Sequence, residues 1–447
     1  MKQKKHDLIP FSFYDLTGIA RHLEKRVAQG WMIEKLSNFG WRYRAIPPQK
    51  LRFAATYYPP ASDFEPEPSE GELTFQDFCL HSGWKFVGSN GPLQVFYTDQ
   101  PEPLPIHTEP SEELRMIRKM SRKALPFWIL MLLITLGGTY GGLASAVFDP
   151  IHFWTSPSPL YSLVCYGALL VYFGADLFTY FRWMRRAKQA ALQGEFLPTR
   201  GCHRILLAAL CLAGAGLALY LLALLDQPLV LLIFFVLIGY LAVLCLAVNG
   251  VKKFLKKHKV PARLNLALTL GADLLLAFGM MAGLTWGIFR LADSDLLTWG
   301  QPQSPLSLSR LAGVEEDPGQ TNSYGEHSLF ASQGEYRLSP SLEETVQGAP
   351  WLDYTLFKTW VPGLDSAFLG QLYREAPEDH PSWEVSYQPV DPEEWGALEA
   401  YQLFEGGEPW GEYLLRWEGT VAQLNYYQGT LSPQQKALIG EVLAGTS

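Results

Sequence analysis

The chain has few cysteines and lacks the common catalytic motifs. Five cysteines occur among 447 residues, and none follows Cys245, which excludes a disulfide-stapled fold. The sequence contains no phosphate-binding loop ending in Gly-Lys-Ser/Thr, no Gly-x-Ser-x-Gly elbow and no His-Glu-x-x-His helix. Cys79 with His81, and Cys202 with His203, supply too few ligands for zinc. We therefore expect no enzyme activity, no cofactor and no metal site.

Long apolar runs are unevenly distributed, which the averages hide. The chain is 48% apolar with a mean hydropathy of +0.02, as in a soluble protein. Yet five stretches are apolar over roughly 20 residues, the length that crosses a bilayer. They lie at about 125–148, 160–181, 205–225, 229–248 and 264–289. We predict five transmembrane helices within residues 111–290, in contact with the lipid bilayer.

The connections between these stretches alternate in charge. Those before the first stretch, after the second and after the fourth are basic, whereas 149–159 and 226–228 contain no Lys or Arg. Basic residues near span ends stay on the cytoplasmic side. We therefore predict a multi-pass protein of the cell membrane with a cytoplasmic N-terminus and an extracytoplasmic C-terminus. The basic connections could also hold anionic lipid headgroups, although orientation alone accounts for them. The connection after the second stretch carries Arg182, Arg185, Arg186, Lys188 and Arg200.

Charge divides the chain into three regions. Residues 1–123 carry 17 basic and 15 acidic side chains, 124–290 carry 13 and 5, and 291–447 carry 6 and 24. The near-neutral first region argues against nucleic-acid binding. The acidic last region could attract cations or a basic partner, and solvation accounts for it equally well.

Residues 1–110 predict a cytoplasmic α+β domain. An amphipathic segment at 16–29 is followed by Gly30-Trp31, and a second helical segment at 73–80 is followed by Gly83-Trp84. Strand-like runs come after each pair, so we expect two helix–Gly-Trp–hairpin rounds. The aromatic residues of this region could stack against a ligand, but core packing is the more common use; they are Trp31, Trp41, Tyr43, Tyr57, Tyr58, Trp84, Phe96 and Tyr97.

These features resemble a bacterial domain-of-unknown-function family, the one numbered 2812. The resemblance rests on Phe11-Ser12-Phe13-Tyr14-Asp15, on Gly30-Trp31, and on Gly83-Trp84 with Phe96-Tyr97, and it covers about the first hundred residues. Members carry this domain ahead of membrane spans, and their genes often neighbour those of PadR-type regulators. The resemblance implies an uncharacterised bacterial multi-pass membrane protein, and it transfers no catalytic residue.

The region after the last apolar stretch predicts two further parts, both extracytoplasmic. Residues 291–334 are rich in Ser, Pro, Gly and acids and predict a partly irregular stalk, and 335–447 predict an α+β domain. Within it, Ser432-Pro433-Gln434-Gln435 predicts a capped helix. Residues 413–417 and 420–426 alternate as two strands of a hairpin do.

Two acidic residues inside the predicted spans form a candidate intramembrane polar site. They are Asp176 and Asp273. An Asp at the centre of a span costs about 2.5 to 3.5 kcal/mol, so it faces the bundle interior and finds a partner, or it marks an ion or proton path. Both lie toward the cytoplasmic span ends, where Arg182, Lys257 or Arg263 could pair with them. Structural pairing is the favoured interpretation and an ion path is the alternative.

Glycines at four-residue spacing mark candidate helix-packing faces in the first and fifth spans. Packing within the bundle is the favoured use, and a homodimer interface is the alternative. The candidates are Gly137, Gly138, Gly141, Gly142, Gly279, Gly283 and Gly287.

The layout predicts a sensor-like or regulatory protein of signalling, in which an outer domain acts through five helices on a cytoplasmic domain. Residues 10–100 would then contact a cytoplasmic protein partner. The alternative is a small-substrate transporter or accessory permease subunit, which Asp176 and Asp273 favour but the absence of inverted repeats weakens. A membrane-embedded enzyme is the least favoured class, because the sequence has no visible acid–base constellation.

Overall fold

The chain divides into two compact units, and each includes part of the membrane region. The computed structural model describes residues 4–7, 11–37, 40–225, 228–292, 303–317, 322–341, 349–379, 385–427 and 431–445. Unit 1 consists of Met1–Leu136, Tyr166–Gly214 and Ile233–Arg290. Unit 2 consists of Gly137–Cys165, Ala215–Leu232 and Leu291–Ser447. The boundary between the units therefore falls inside five long helices.

Five long helices carry the predicted spans. They are α3 (Pro110–Phe148), α5 (Pro157–Leu192), α6 (His203–Ala223), α7 (Pro228–Lys257) and α8 (Ala262–Ala292). A short helix, α4 (Pro150–Thr155), lies between α3 and α5. All five long helices are long and apolar enough to cross a membrane, which indicates a multi-pass membrane protein. Several extend beyond the predicted apolar stretch, because the basic residues that flank it continue the same helix.

The N-terminal domain contains two three-stranded antiparallel sheets and two helices. One sheet has the order β1-β3-β2 and the other β4-β6-β5. The elements are β1 (Lys4–Asp7), α1 (Leu16–Ala28), β2 (Trp31–Lys35), β3 (Trp41–Ala45), β4 (Arg52–Tyr57), α2 (Glu70–His81), β5 (Lys85–Asn90) and β6 (Leu93–Thr98).

The two predicted rounds of helix, Gly-Trp and hairpin are present in this domain. Ile19, Leu23 and Val27 are spaced by four residues along α1 and are all buried in one core with strands of both sheets. Gly30 and Gly83 end the two helices at φ 85° and 88°, a left-handed conformation that favours glycine. The aromatic residues Tyr43, Trp84 and Phe96 are buried, which fits their expected use in the core.

The second domain is a seven-stranded antiparallel sheet with helices. The strand order is β10-β11-β12-β13-β9-β8-β7. The elements are α9 (Leu308–Ala312), β7 (Asn322–His327), β8 (Ala331–Leu338), β9 (Trp351–Thr359), α10 (Leu364–Asp379), β10 (Val385–Pro389), a 3-10 helix (Pro392–Trp395), β11 (Glu399–Glu405), β12 (Glu408–Trp417), β13 (Thr420–Tyr427) and α11 (Pro433–Ala444). The predicted hairpin and the predicted capping box at Ser432 and Gln435 are both confirmed.

Both faces of this sheet are covered. Leu415 and Ala422 point into a core shared with α9 and α11. Leu414 and Val421, their neighbours in sequence, point into a second core shared with α10 and α4, because successive side chains of a strand face opposite sides. The second domain thus incorporates α4, the short helix between the first two predicted spans.

The structure differs in part from the partly irregular stalk expected at 291–334, of which 293–302 and 318–321 lie outside the described residues. Asn322–His327 and the start of Ala331–Leu338 pair as β7 and β8 of the sheet. Leu308 and Leu311 of α9 are buried in the core. These strands are rich in polar residues and glycine, so they lack the apolar alternation that reveals a strand in sequence. The second domain therefore begins well before residue 335.

Candidate functional site

The N-terminal domain meets the membrane helices through a set of five polar residues, four of them buried, all within unit 1. We call Ser12, Asp15, Thr17, Asp176 and Thr199 the polar joint. The Thr17 backbone N–H donates to Thr199 Oγ1 at 2.7 Å, and the Thr199 N–H donates to Thr17 Oγ1 at 3.0 Å. Thr199 Oγ1 in turn donates to Asp15 Oδ1 at 3.1 Å. The loop after α5 is thus bonded directly to the start of α1.

The local fold explains why these residues meet. Asp15 caps α1, and its Oδ1 accepts from the Gly18 N–H at 3.0 Å. A Cβ at Gly201 would lie 2.6 Å from Asp15 Oδ2 and 2.7 Å from Ser12 Oγ, so the loop approaches this closely only with glycine there. Burial raises the pKa of Tyr14, which keeps its phenol protonated to donate to the Arg200 carbonyl at 3.0 Å.

Asp176 is the most deeply buried charged residue of the joint. It is fully buried on α5, and the Ser12 hydroxyl lies beside it. Within the part of the chain that the structure describes, no hydrogen bond of good geometry is formed by either carboxylate oxygen of Asp176 or by the Ser12 hydroxyl. A buried carboxylate without a well-formed hydrogen bond or an ion-pair partner is costly, so Asp176 is a candidate for a role other than stability.

The two predicted intramembrane acids have different surroundings. Asp273 is only partly buried on α8, whereas Asp176 is enclosed. Among the ion pairs of the described residues, none joins either acid to Arg182, Lys257 or Arg263. The expected partners therefore do not pair with these acids in the structure.

An arginine-lined cavity adjoins the joint. It has a volume of about 460 Å³, and we call it the arginine cavity. Thr179 and Thr199 line it, and Thr199 also belongs to the joint. The remaining lining residues are Arg21, Arg182, Trp183, Arg186, Leu197, Pro198 and Arg200.

A second contact links the acidic loop between β4 and α2 to the ends of α7 and α8; we call it the loop anchor. Lys252 Nζ lies 3.3 Å from Asp63 Oδ2, and Lys256 Nζ donates to the Asp63 carbonyl at 3.2 Å. Asn265, which is fully buried, donates to the Phe64 carbonyl at 3.1 Å. The N-terminal domain is thus fixed to the helices at two separate places.

The second domain holds α4 in a comparable way within unit 2. The Ile151 N–H donates to Gln371 Oε1 at 2.8 Å, and Gln371 Nε2 donates to Asp149 Oδ1 at 2.9 Å. Trp154 and Phe330 pack edge to face with ring centroids 5.5 Å apart. A cavity of about 750 Å³ on this domain has several partly exposed aromatic residues in its lining, namely Trp351, Trp410 and Tyr427.

Six of the seven candidate packing glycines, all except Gly138, divide into two groups. A Cβ at Gly142 would lie 3.0 Å from Leu163 of α5, so this glycine permits a close helix approach. At Gly137, Gly141, Gly279, Gly283 and Gly287 a Cβ would meet no described atom within 4 Å. Sequence spacing missed Gly216, where a Cβ would lie 2.9 Å from Val164. Four-residue spacing therefore identified one glycine that lies close to another helix, Gly142, and missed another, Gly216.

Comparisons with known proteins found no match: no family model, no curated protein and no solved structure matches this chain. Groups of three or more His, Cys, Asp or Glu residues able to hold a metal ion do not occur in the described ranges. The resemblance of the first hundred residues to the family numbered 2812 stays a prediction. The functional argument rests on the joint, the loop anchor and the arginine cavity.

Proposed function

We propose that this is a sensor-like regulatory protein of the bacterial cell membrane, in which the N-terminal domain responds to the arrangement of the membrane helices. The polar joint is the observation that supports this proposal. Thr199 follows α5, and it exchanges two hydrogen bonds with Thr17 at the start of α1. A displacement of the loop after α5 would break bonds that cap and orient α1, since buried hydrogen-bonded groups tolerate few alternative arrangements.

The second domain would supply the other end of the coupling. It incorporates α4, which is joined by chain to α3 and α5. Ligand binding to this domain could therefore bias the helices that carry the joint, provided the ligand binds one arrangement better than the other. From the placement of Lys and Arg, we propose that the N-terminal domain is cytoplasmic and the second domain extracytoplasmic.

A cytoplasmic protein partner would read the state of the N-terminal domain through residues 10–100. The helix α2 supports this part of the proposal. Leu73, Phe78 and Leu80 on it are 51%, 57% and 56% exposed, and exposed apolar side chains grouped on one element are typical of an interaction surface.

The test compares transcript levels in four strains that express the wild-type protein, no protein, the joint variant Thr199→Val, or Asp176→Asn. Both variants must first be shown to reach the membrane at wild-type amounts. A regulatory role predicts that the joint variant reproduces the transcript changes of the null strain, because the domain is released while the helices remain. A joint variant identical to wild type, in a condition where the null strain differs, would contradict the proposal.

Transport of a small substrate is the second candidate, and Asp176 is the observation that favours it. A fully buried acid inside a predicted span, with a single hydroxyl group, that of Ser12, beside its carboxylate, is typical of an ion or proton path. In the same four strains, a transport function predicts that Asp176→Asn reproduces the phenotype of the null strain and that Thr199→Val does not. A membrane-embedded enzyme has less support, because no nucleophile and base pair emerges at the joint.

A further inference from the structure

Within unit 1, the arginine cavity concentrates positive charge where the N-terminal domain meets α5 and the loop after it. Arg182 and Arg186 come from α5, Arg21 from α1 and Arg200 from the loop between α5 and α6. Not one of the nine lining residues is acidic. No ion pair among the described residues includes any of the four arginines. Four arginine residues therefore line one cavity, and none of them forms an ion pair with a carboxylate of the described residues.

The fold holds these arginines in place by contacts that do not use their charge. Thr179, Arg182, Trp183 and Arg186 follow the three- and four-residue spacing of one helix face. The Trp183 indole N–H donates to the Pro198 carbonyl at 3.1 Å and so fixes the loop against α5.

The other two arginines are fixed from the N-terminal domain. Tyr14 donates to the Arg200 carbonyl at 3.0 Å. Arg21 lies one helical turn beyond Thr17, whose backbone N–H is bonded to Thr199. The chain beside the arginines is thus held by neighbouring contacts, and all four arginine residues are exposed and available to a ligand.

We infer that the arginine cavity binds a phosphate-bearing anion. Guanidinium groups form paired, charge-assisted hydrogen bonds to phosphate oxygens, and a phosphate group can engage arginines from several directions. The cavity volume of about 460 Å³ lies within the range of ligand sites. The phosphate could belong to an anionic lipid headgroup, since Arg182 directly follows the predicted span 160–181, or to a soluble phosphate compound. The inference does not depend on the proposed regulatory role.

Such a ligand would bridge α1, α5 and the loop that also carries Thr199. Its binding would therefore stabilise the contact between the N-terminal domain and the helices, since a ligand that binds only the assembled state stabilises that state.

The experiment uses the full-length protein in nanodiscs of phosphatidylcholine. Sodium pyrophosphate is the soluble probe, and replacement of part of the phosphatidylcholine by phosphatidylglycerol is the lipid probe. The double variant Arg182→Gln/Arg186→Gln removes two charges from the cavity. The matched control, Arg185→Gln/Lys188→Gln, removes two exposed charges from the same helix outside the cavity. Binding is measured by the shift in thermal unfolding midpoint and, for pyrophosphate, by titration calorimetry.

We expect at least about a tenfold loss of affinity in the cavity variant and little change in the control, because charge-assisted contacts to phosphate are strong. A pyrophosphate effect that the cavity variant loses identifies a soluble ligand. A phosphatidylglycerol effect that the cavity variant loses, without a pyrophosphate effect, identifies a lipid headgroup. Equal losses in the cavity and control variants, or no effect of either probe on the wild-type protein, would overturn the inference. The single variant Arg21→Gln leaves α5 intact, and it should weaken the binding of the same probe if the site is as described.

Discussion

At the scale of single residues, Asp176 is a position where we expect a buried charge to lower the stability of the protein. Because its carboxylate is fully buried and no ion pair of the described residues compensates its charge, the ionised form costs several kcal/mol to bury. We predict that Asp176→Asn raises the thermal unfolding midpoint of the purified protein. Asp273→Asn is the matched control, since Asp273 is only partly buried, and it should shift the midpoint less. A lower midpoint for Asp176→Asn would show that the carboxylate has a stabilising partner.

Thr199 should behave in the opposite way. It is 2% exposed, and Thr199→Val keeps the shape of the side chain but removes the acceptor for Thr17 and the donor to Asp15. We predict a loss of about 1 to 3 kcal/mol, the usual cost of leaving buried polar groups unpaired. Thermal unfolding measures it, with Thr74→Val on the exposed face of α2 as control. Equal midpoints for the Thr199 variant and the wild type would mean that the joint contributes no stability.

Asp176 could be predicted as a candidate from the sequence and Thr199 could not, for a physical reason. Asp176 was found because an acid within an apolar span is costly wherever the helix packs. Its neighbour Ser12 lies more than 160 positions away in the sequence, and Thr199 lies in a polar connection that has no helical or strand periodicity. Contacts between such distant segments depend on tertiary packing, and a single sequence carries no local signal for them.

At the scale of elements, the loop anchor makes a prediction about the segment between β4 and α2. Asn265 donates to the Phe64 carbonyl from a fully buried position at the start of α8. We predict that Asn265→Ala increases hydrogen exchange in residues 58–68, because that loop loses a bond to the helix. The control Asn249→Ala removes an exposed amide that bonds only within α7. Unchanged exchange in the Asn265 variant would mean that the Asp63 contacts hold the loop without it.

Elements with a strong local pattern were predicted, and elements without one were missed. The five spans and the hairpin of β12 and β13 follow from long apolar runs and strict alternation, which depend only on neighbouring residues. The strand β1 reads Lys-Lys-His-Asp and β7 reads Asn-Ser-Tyr-Gly-Glu-His, with almost no apolar residue. Each is held by pairing to a single neighbouring strand, so its structure comes from the partner strand and not from its own pattern.

At the scale of the whole molecule, the basic residues after α5 have two explanations, membrane orientation and ligand binding. The arginines of the connection after α5 were explained by membrane orientation, yet the structure places Arg182, Arg186 and Arg200 around one cavity while Arg185 and Lys188 lie outside it. Orientation requires only the number of basic residues near a span end. A binding cavity requires particular ones, so the two explanations predict different results for substitutions within the same connection.

The orientation itself can be measured with cysteines, because the second domain contains none. The native thiols are Cys79, which is buried, and four more at positions 165, 202, 211 and 245. Glu418 lies exposed in the turn between β12 and β13, and Lys188 is exposed near the end of α5. Exposed thiols in water react through the thiolate, whereas thiols in an apolar setting react poorly. The wild-type chain therefore supplies the background for single introduced cysteines at the two exposed positions.

We predict that Glu418→Cys reacts with a membrane-impermeant maleimide on intact cells, and that Lys188→Cys reacts only after the membrane is permeabilised. The expectation follows from the basic connections, which should be retained in the cytoplasm, and from the odd number of candidate spans among the described residues. The reverse pattern would place the arginine cavity outside the cell and the acidic second domain inside. The proposed direction of coupling would then be reversed, whereas the affinity of the arginine cavity for phosphate would be unaffected.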